Sequence, residues 1–145
     1  MKTLPLVLSL IVGMAVLTPA VRAAETSSLT VTFSGITAAK GVILFTVVNS
    51  EAAYGDKAPP SAQAMLPVTT NTATKVVTGL APGRYAIKAF HDINGDGKMN
   101  ANPFGIPTEP FAFSNNAVGN MGPAKWADAS FEVKAGANTH SIVID

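Results

Sequence analysis

The stretch Val42 to Val48, Val-Ile-Leu-Phe-Thr-Val-Val, constrains the fold more than any other part of the chain. Seven residues between Gly41 and Asn49 are too few for an ordinary helix, and their β-branched content favours extended backbone. A run apolar at nearly every position predicts a central strand covered on both faces. Its partners are visible on either side. Leu29, Val31 and Phe33 alternate with Thr30 and Thr32, the pattern of a half-buried strand. Further strands are expected over Thr72–Thr78 and Arg84–His91, separated by a Pro82-Gly83 turn in which proline sets φ and glycine accepts a positive φ. On the second of these, Tyr85, Ile87, Ala89 and His91 share the expected core face. Phe131 and Val133, then Ile142 and Ile144, mark two closing strands. Residues 50–67 carry Gly55, Pro59, Pro60 and Pro67 and read as a loop with one helical turn near Ser61 to Met65.

Six or seven short strands, no long amphipathic helix and no internal repeat predict an all-β fold. The expected architecture is an antiparallel Greek-key β-sandwich, immunoglobulin- or transthyretin-like, with one long ordered loop. At 145 residues the chain allows one domain. Ten basic and nine acidic residues exclude the broad positive footprint of a nucleic-acid binder. The absence of cysteine removes disulfides, thiolate metal sites and thiol catalysis.

The N-terminus has one lysine, Lys2, an apolar run of 14 residues from Leu4 to Leu17, and small residues at Val21 and Ala23. This is the layout of a secretory signal peptide over residues 1–23, cleaved after Ala23, and the run is short for a membrane span of about 20 residues. Removing Lys2 and Arg22 leaves eight basic against nine acidic residues on the single domain 24–145. The expectation is a periplasmic or secreted protein with no membrane span after cleavage.

The most specific local signal is Asp92-Ile93-Asn94-Gly95-Asp96-Gly97-Lys98-Met99-Asn100. Oxygen-bearing side chains stand at positions 1, 3, 5 and 9 and glycine at position 6, as at the start of an EF-hand-type calcium loop. Asp92, Asn94, Asp96 and Asn100 are the candidate side-chain ligands, and Lys98 the candidate carbonyl donor. Position 12 should be a bidentate acid but is Pro103; Glu109 is the residue that could reach back. Two readings fit this pattern: a calcium loop, or an Asx-rich turn whose side chains bond their own backbone.

The segment Phe104–Asn116 carries Phe104, Phe111 and Phe113. It reads as an aromatic flap, either closing one end of the sandwich or covering a small molecule or glycan with His91, Glu109, Asn115 and Asn116 as polar contacts. A hydrolase using His91 with Glu109 or Asp92 is a third reading, though no Gly-x-Ser-x-Gly elbow supports a serine triad. A ferric dioxygenase site is disfavoured because Tyr85 and His91, six residues apart on one strand, are about 20 Å distant. Edge pairing with another envelope protein is a further way for such a chain to act.

Gly79-Leu80-Ala81-Pro82-Gly83-Arg84-Tyr85-Ala86, His91 to Asn100, Phe104 to Pro110 and Phe113 to Asn116 together resemble the bacterial family called domain of unknown function 2141. The likeness runs from about Leu29 to Ile144. It implies an exported, single-domain bacterial protein and no particular substrate. The Leu-x-Pro-Gly-x-Tyr turn is also similar to turns in transthyretin-like and carboxypeptidase-regulatory-like sandwiches, a likeness of fold only. The resulting expectation is an exported, non-catalytic binding or structural accessory protein with a loop braced by calcium, its partner an unidentified small molecule or envelope protein.

Overall fold

The structure, a computed structural model, describes residues 26–145; the signal-peptide expectation falls on residues outside this range. Eight strands form two sheets: β1 (Ser27–Ser34), β2 (Val42–Val48), β3 (Ala62–Pro67), β4 (Ala73–Leu80), β5 (Gly83–Asp92), β6 (Phe111–Phe113), β7 (Phe131–Val133) and β8 (Gly136–Val143). The smaller sheet has the order β4-β1-β8, and the larger β3-β2-β5-β6, with β7 also paired to β5. All pairs are antiparallel except β1 with β8, which run parallel. The chain is thus a β-sandwich as its patterning predicts, with one parallel seam.

The core lies between the sheets. Leu29, Val31 and Phe33 of β1 are fully buried and meet Ile43, Phe45 and Val47 of β2 and Tyr85, Ile87 and Ala89 of β5. Phe33 and Phe45 join the two layers with ring centroids 5.3 Å apart. At the β4–β5 corner the Tyr85 hydroxyl donates to the Ala81 carbonyl at 2.8 Å, pinning the Pro-Gly turn. A second cluster covers half of the outer face of the larger sheet, where Tyr54, Phe113 and Trp126 pack over Val48 and Ala86. Tyr54 and Trp126 come from two single-turn helices, α1 (Glu51–Tyr54) and α2 (Trp126–Ala129). Burial pushes the Tyr54 phenol up to about 12. Both clusters belong to residues 29–144, so this part of the chain carries its own closed core.

Two local expectations are corrected. Ser61 to Met65 is not a helical turn: residues 62–67 form β3, an edge strand on β2. The helical turn occurs earlier, where the Ser50 hydroxyl accepts from the Ala53 amide at 3.2 Å and caps α1. β2 is central and covered on its inner face, but its outer face is covered only at Val48, since Leu44 and Thr46 are half-exposed there.

β6 and β7 continue one another along the same edge of β5, at Lys88–Phe90 and Gly83–Tyr85 respectively. Ser114 fills the gap between them. Its fully buried hydroxyl accepts from the Ile87 amide at 2.8 Å and donates to the Ala129 carbonyl at 2.6 Å. A buried backbone group left unpaired costs about 1–3 kcal/mol. Ser114→Ala orphans one donor and one acceptor, so urea denaturation is expected to show a loss of about 2–6 kcal/mol.

Candidate functional site

β5 ends at Asp92, and the chain turns back on itself before rejoining the sheet as β6. Close approach on one side sets where the turn begins. Gly41 has φ +73, and a Cβ there would lie 2.2 Å from the Asp92 carbonyl oxygen. Lys40, beside it, accepts at its carbonyl from His91 Nε2 at 2.7 Å. Segment 40–41 therefore holds the last residues of β5 from behind, a role that the sequence marked only by a glycine.

Two buried carboxylates organise the turn from within. Asp92 is fully buried; its Oδ1 accepts from the Gly95 amide at 2.6 Å and the Asp96 amide at 3.3 Å, and its Oδ2 from the Gly97 amide at 2.7 Å. Gly95 and Gly97 have φ +76 and +78, which lets successive N–H groups face the same carboxylate. Glu109, 8% exposed, clasps both ends of the loop: Oε1 accepts from the Ile93 amide at 2.9 Å and Oε2 from the Asn100 amide at 3.0 Å. Glu109 thus reaches back from outside the motif to the backbone at both ends of the loop.

The exposed side of the loop carries the remaining candidates. Asp96 Oδ1 accepts from the Lys98 amide at 2.9 Å, and its Oδ2 lies 3.3 Å from both Asn94 Nδ2 and Asn100 Nδ2. The Lys98 N–H is the main cause that holds the Asp96 carboxyl below the usual carboxylate range; the Asn100 and Asn94 amides add to it. Asn94 Oδ1 accepts from the Asp96 amide at 3.2 Å. The Asn100 amide spans the two acids: its other end is 3.1 Å from Glu109 Oε2 and 3.3 Å from Oε1. A nitrogen there donates to Glu109 and leaves the oxygen, in place of Nδ2, beside Asp96. An oxygen there would face two carboxylate oxygens, an arrangement that a cation between them stabilises.

Asp92, Asn94, Asp96, Lys98, Asn100 and Glu109 are therefore gathered into one loop system. Among the described residues no group of three or more His, Asp or Glu is placed to hold a metal ion. A hard cation here must draw on the Asn oxygens and the Lys98 carbonyl as well as the acids.

The remaining flap candidates go elsewhere. Residues 101–107 form a small hairpin, bridged at Ala101–Pro107, with Asn102 Oδ1 accepting from the Phe104 and Ile106 amides at 2.9 and 3.0 Å. Its tip leaves Phe104 89% exposed, so this ring does not close the end of the sandwich. Phe111 and Phe113 lie in β6. Asn115 and Asn116 are spent on backbone: Asn115 Nδ2 donates to the Asp128 and Ser130 carbonyls, and Asn116 Oδ1 accepts from the Val143 amide. His91 is 1% exposed and faces the core side, with its Nε2–H on the Lys40 carbonyl. A hydrolytic role would need His91 and a carboxylate freed from these contacts.

The chain matches the family described as "Uncharacterized protein conserved in bacteria (DUF2141)" over residues 31–141. The fold and loop define a β-sandwich carrying an acid- and asparagine-rich turn at the end of a long strand. The chain belongs to that DUF2141 family. No curated protein and no solved structure matches it.

Two expectations follow. Asp92→Ala removes the acceptor of three amides, and hydrogen bonds to charged groups contribute about 1.5–3 kcal/mol each. The loss in denaturant titration is expected to be about 3 kcal/mol or more, whereas Asp96→Ala, at an exposed position, should leave the unfolding midpoint nearly unchanged. The second concerns acid. His140 Nε2 accepts from the Asn115 amide at 3.1 Å, its ring stacks on Phe131, and burial lowers its pKa below 6.5. The unfolded chain then takes up the proton first, so the His140 contribution is complete above 6.5 and is lost as pH falls through the folded pKa. Melting temperature measured against pH should fall across that window, and His140→Gln should flatten the slope.

Proposed function

We propose that the chain is an exported, non-catalytic binding or structural accessory protein of the bacterial envelope, in which calcium braces the 92–109 loop system. Residues 1–23 act as its signal peptide, cleaved after Ala23, which leaves it in the periplasm or outside the cell. The observation that carries the cation reading is the clasp of Glu109 on Ile93 and Asn100. It brings a third carboxylate to a loop that already holds Asp92 and Asp96, with Lys98 as its one basic side chain. Calcium takes six to eight oxygens, and Asp92, Asn94, Asp96, Asn100, Glu109 and the Lys98 carbonyl supply that chemistry. In this reading the ion displaces the amide contact of Asn94 on Asp96 and selects the orientation of Asn100 whose oxygen, not its nitrogen, faces Glu109. It performs no chemistry; it stiffens the return from β5 to β6.

The test is the melting temperature of residues 24–145 in EDTA and in millimolar calcium. A ligand of the folded state at 100-fold excess over its Kd adds about 2.7 kcal/mol. For a domain of this size that is a rise of about 10 °C. Asp96→Asn should abolish the rise while leaving the EDTA value nearly unchanged. Equal melting temperatures in EDTA and calcium would return the loop to an Asx-rich turn closed by its own carboxylates.

A further inference from the structure

The outer face of the larger sheet is where strand pattern and exposure disagree. The solvent side of an antiparallel sandwich strand is ordinarily polar. Here the register aligns Met65, Leu44, Phe90 and Phe111 side by side across β3, β2, β5 and β6. The row is ~14 Å wide, three strand spacings of about 4.8 Å. Met99, from the loop after β5, borders the same space, and the whole forms an open cleft of about 580 Å³. Small-molecule sites commonly enclose about 300–1,000 Å³ between apolar walls with a few polar groups. α1 and α2 cover the neighbouring half of this face, over Val48 and Ala86, and leave this half open.

The next row along the strands is Gln63, Thr46, Lys88 and Phe113, so the polar groups of the cleft are collected on one side of the apolar row. Lys88 Nζ donates to the Tyr54 carbonyl at 2.8 Å and to Asp56 Oδ1 at 2.7 Å. An ammonium has three N–H groups, which leaves one for an occupant. The Asp56 side chain is 85% exposed, so an arriving acceptor competes with a solvated carboxylate. Thr46, directly across from Lys88, has a buried hydroxyl with no hydrogen-bond partner.

We infer that this cleft binds a compact amphipathic small molecule, its apolar ring or chain across the Met65–Phe111 row and its anionic, hydrogen-bond-accepting head at Lys88. A second copy of the chain is the poorer occupant. Met65, Met99 and Phe111 are 57%, 37% and 39% exposed. Together they offer on the order of 300 Å², taking ~200 Å² per large side chain, against about 800 Å² per partner in a stable interface. The cleft uses none of the carboxylates that would hold calcium, so its test stands or falls apart from the cation reading.

The experiment is a fluorescence titration of residues 24–145 with 8-anilinonaphthalene-1-sulfonate, an anionic aromatic amphiphile, in EDTA and again in calcium. Saturable binding at one site is expected in EDTA. Met65→Glu, at an exposed position, should weaken it about tenfold or more. Lys88→Gln should weaken the anionic probe about fivefold and leave the uncharged N-phenyl-1-naphthylamine within about twofold. Unchanged melting temperatures of both variants show that the fold is intact. Failure to saturate, or binding indifferent to Met65→Glu, overturns the site. Equal weakening of both probes by Lys88→Gln overturns the head-group assignment. A dimer in sedimentation that Met65→Glu dissociates makes the row a self-interface and overturns the small-molecule occupant.

Discussion

Two buried carboxylates hold together everything that follows β5. Asp92 and Glu109 between them accept from five backbone amides of residues 93–100. Hydrogen bonds to an ionised acceptor are the stronger kind, and a buried carboxylate without them would be costly. The glycines at 95 and 97 make the amides available, and Gly41 lets the β1–β2 connection lie against the start of the turn. Because Glu109 stands just before β6, the same contacts fix where the chain re-enters the sheet. The register Lys88–Phe113 to Phe90–Phe111 then follows, and with it the placement of both phenylalanines.

This arrangement connects the loop to the open face of the larger sheet. Asp92 points to the outer side of β5, as do Lys88 and Phe90, while His91 points to the core. The loop that curls over Asp92 brings Met99 to the rim of the cleft. A stiffer turn therefore means a better defined cleft wall, whichever group stiffens it. The apolar row across four strands explains why β2 is apolar at nearly every position: its inner side chains fill the core and Leu44 joins the exposed stripe.

Much of this was legible in the residues. Strict alternation marked β1, the Pro-Gly turn marked the entry to β5, and the side-chain oxygens of residues 92–100 marked the turn. Glu109 was recognisable as an acid able to reach back, though not as the clasp on both ends of the loop. β3 was hidden because Ala62-Gln63-Ala64-Met65-Leu66-Pro67 has weak strand propensity and lies among prolines; it extends because β2 offers an edge and Pro67 ends it. Ser114 and the roles of Asn115 and Asn116 depend on partners far along the chain, 27 residues away for the Ser114 contact with Ile87, and no local pattern announces them. The segment 104–113 divides between a hairpin tip and β6 for the same reason.

The most direct measurement is a calcium titration followed by ¹⁵N–¹H NMR of residues 24–145, watching the Asn100 side-chain amide and the backbone amides of Ile93, Gly95 and Gly97. The account predicts saturable shifts confined to residues 92–100 and Glu109, with the Asn100 amide protons losing their contact with the Glu109 carboxylate as its oxygen turns to the ion. Spectra that stay superimposable through millimolar calcium, with the Asn100 amide protons still bonded to Glu109, would contradict it.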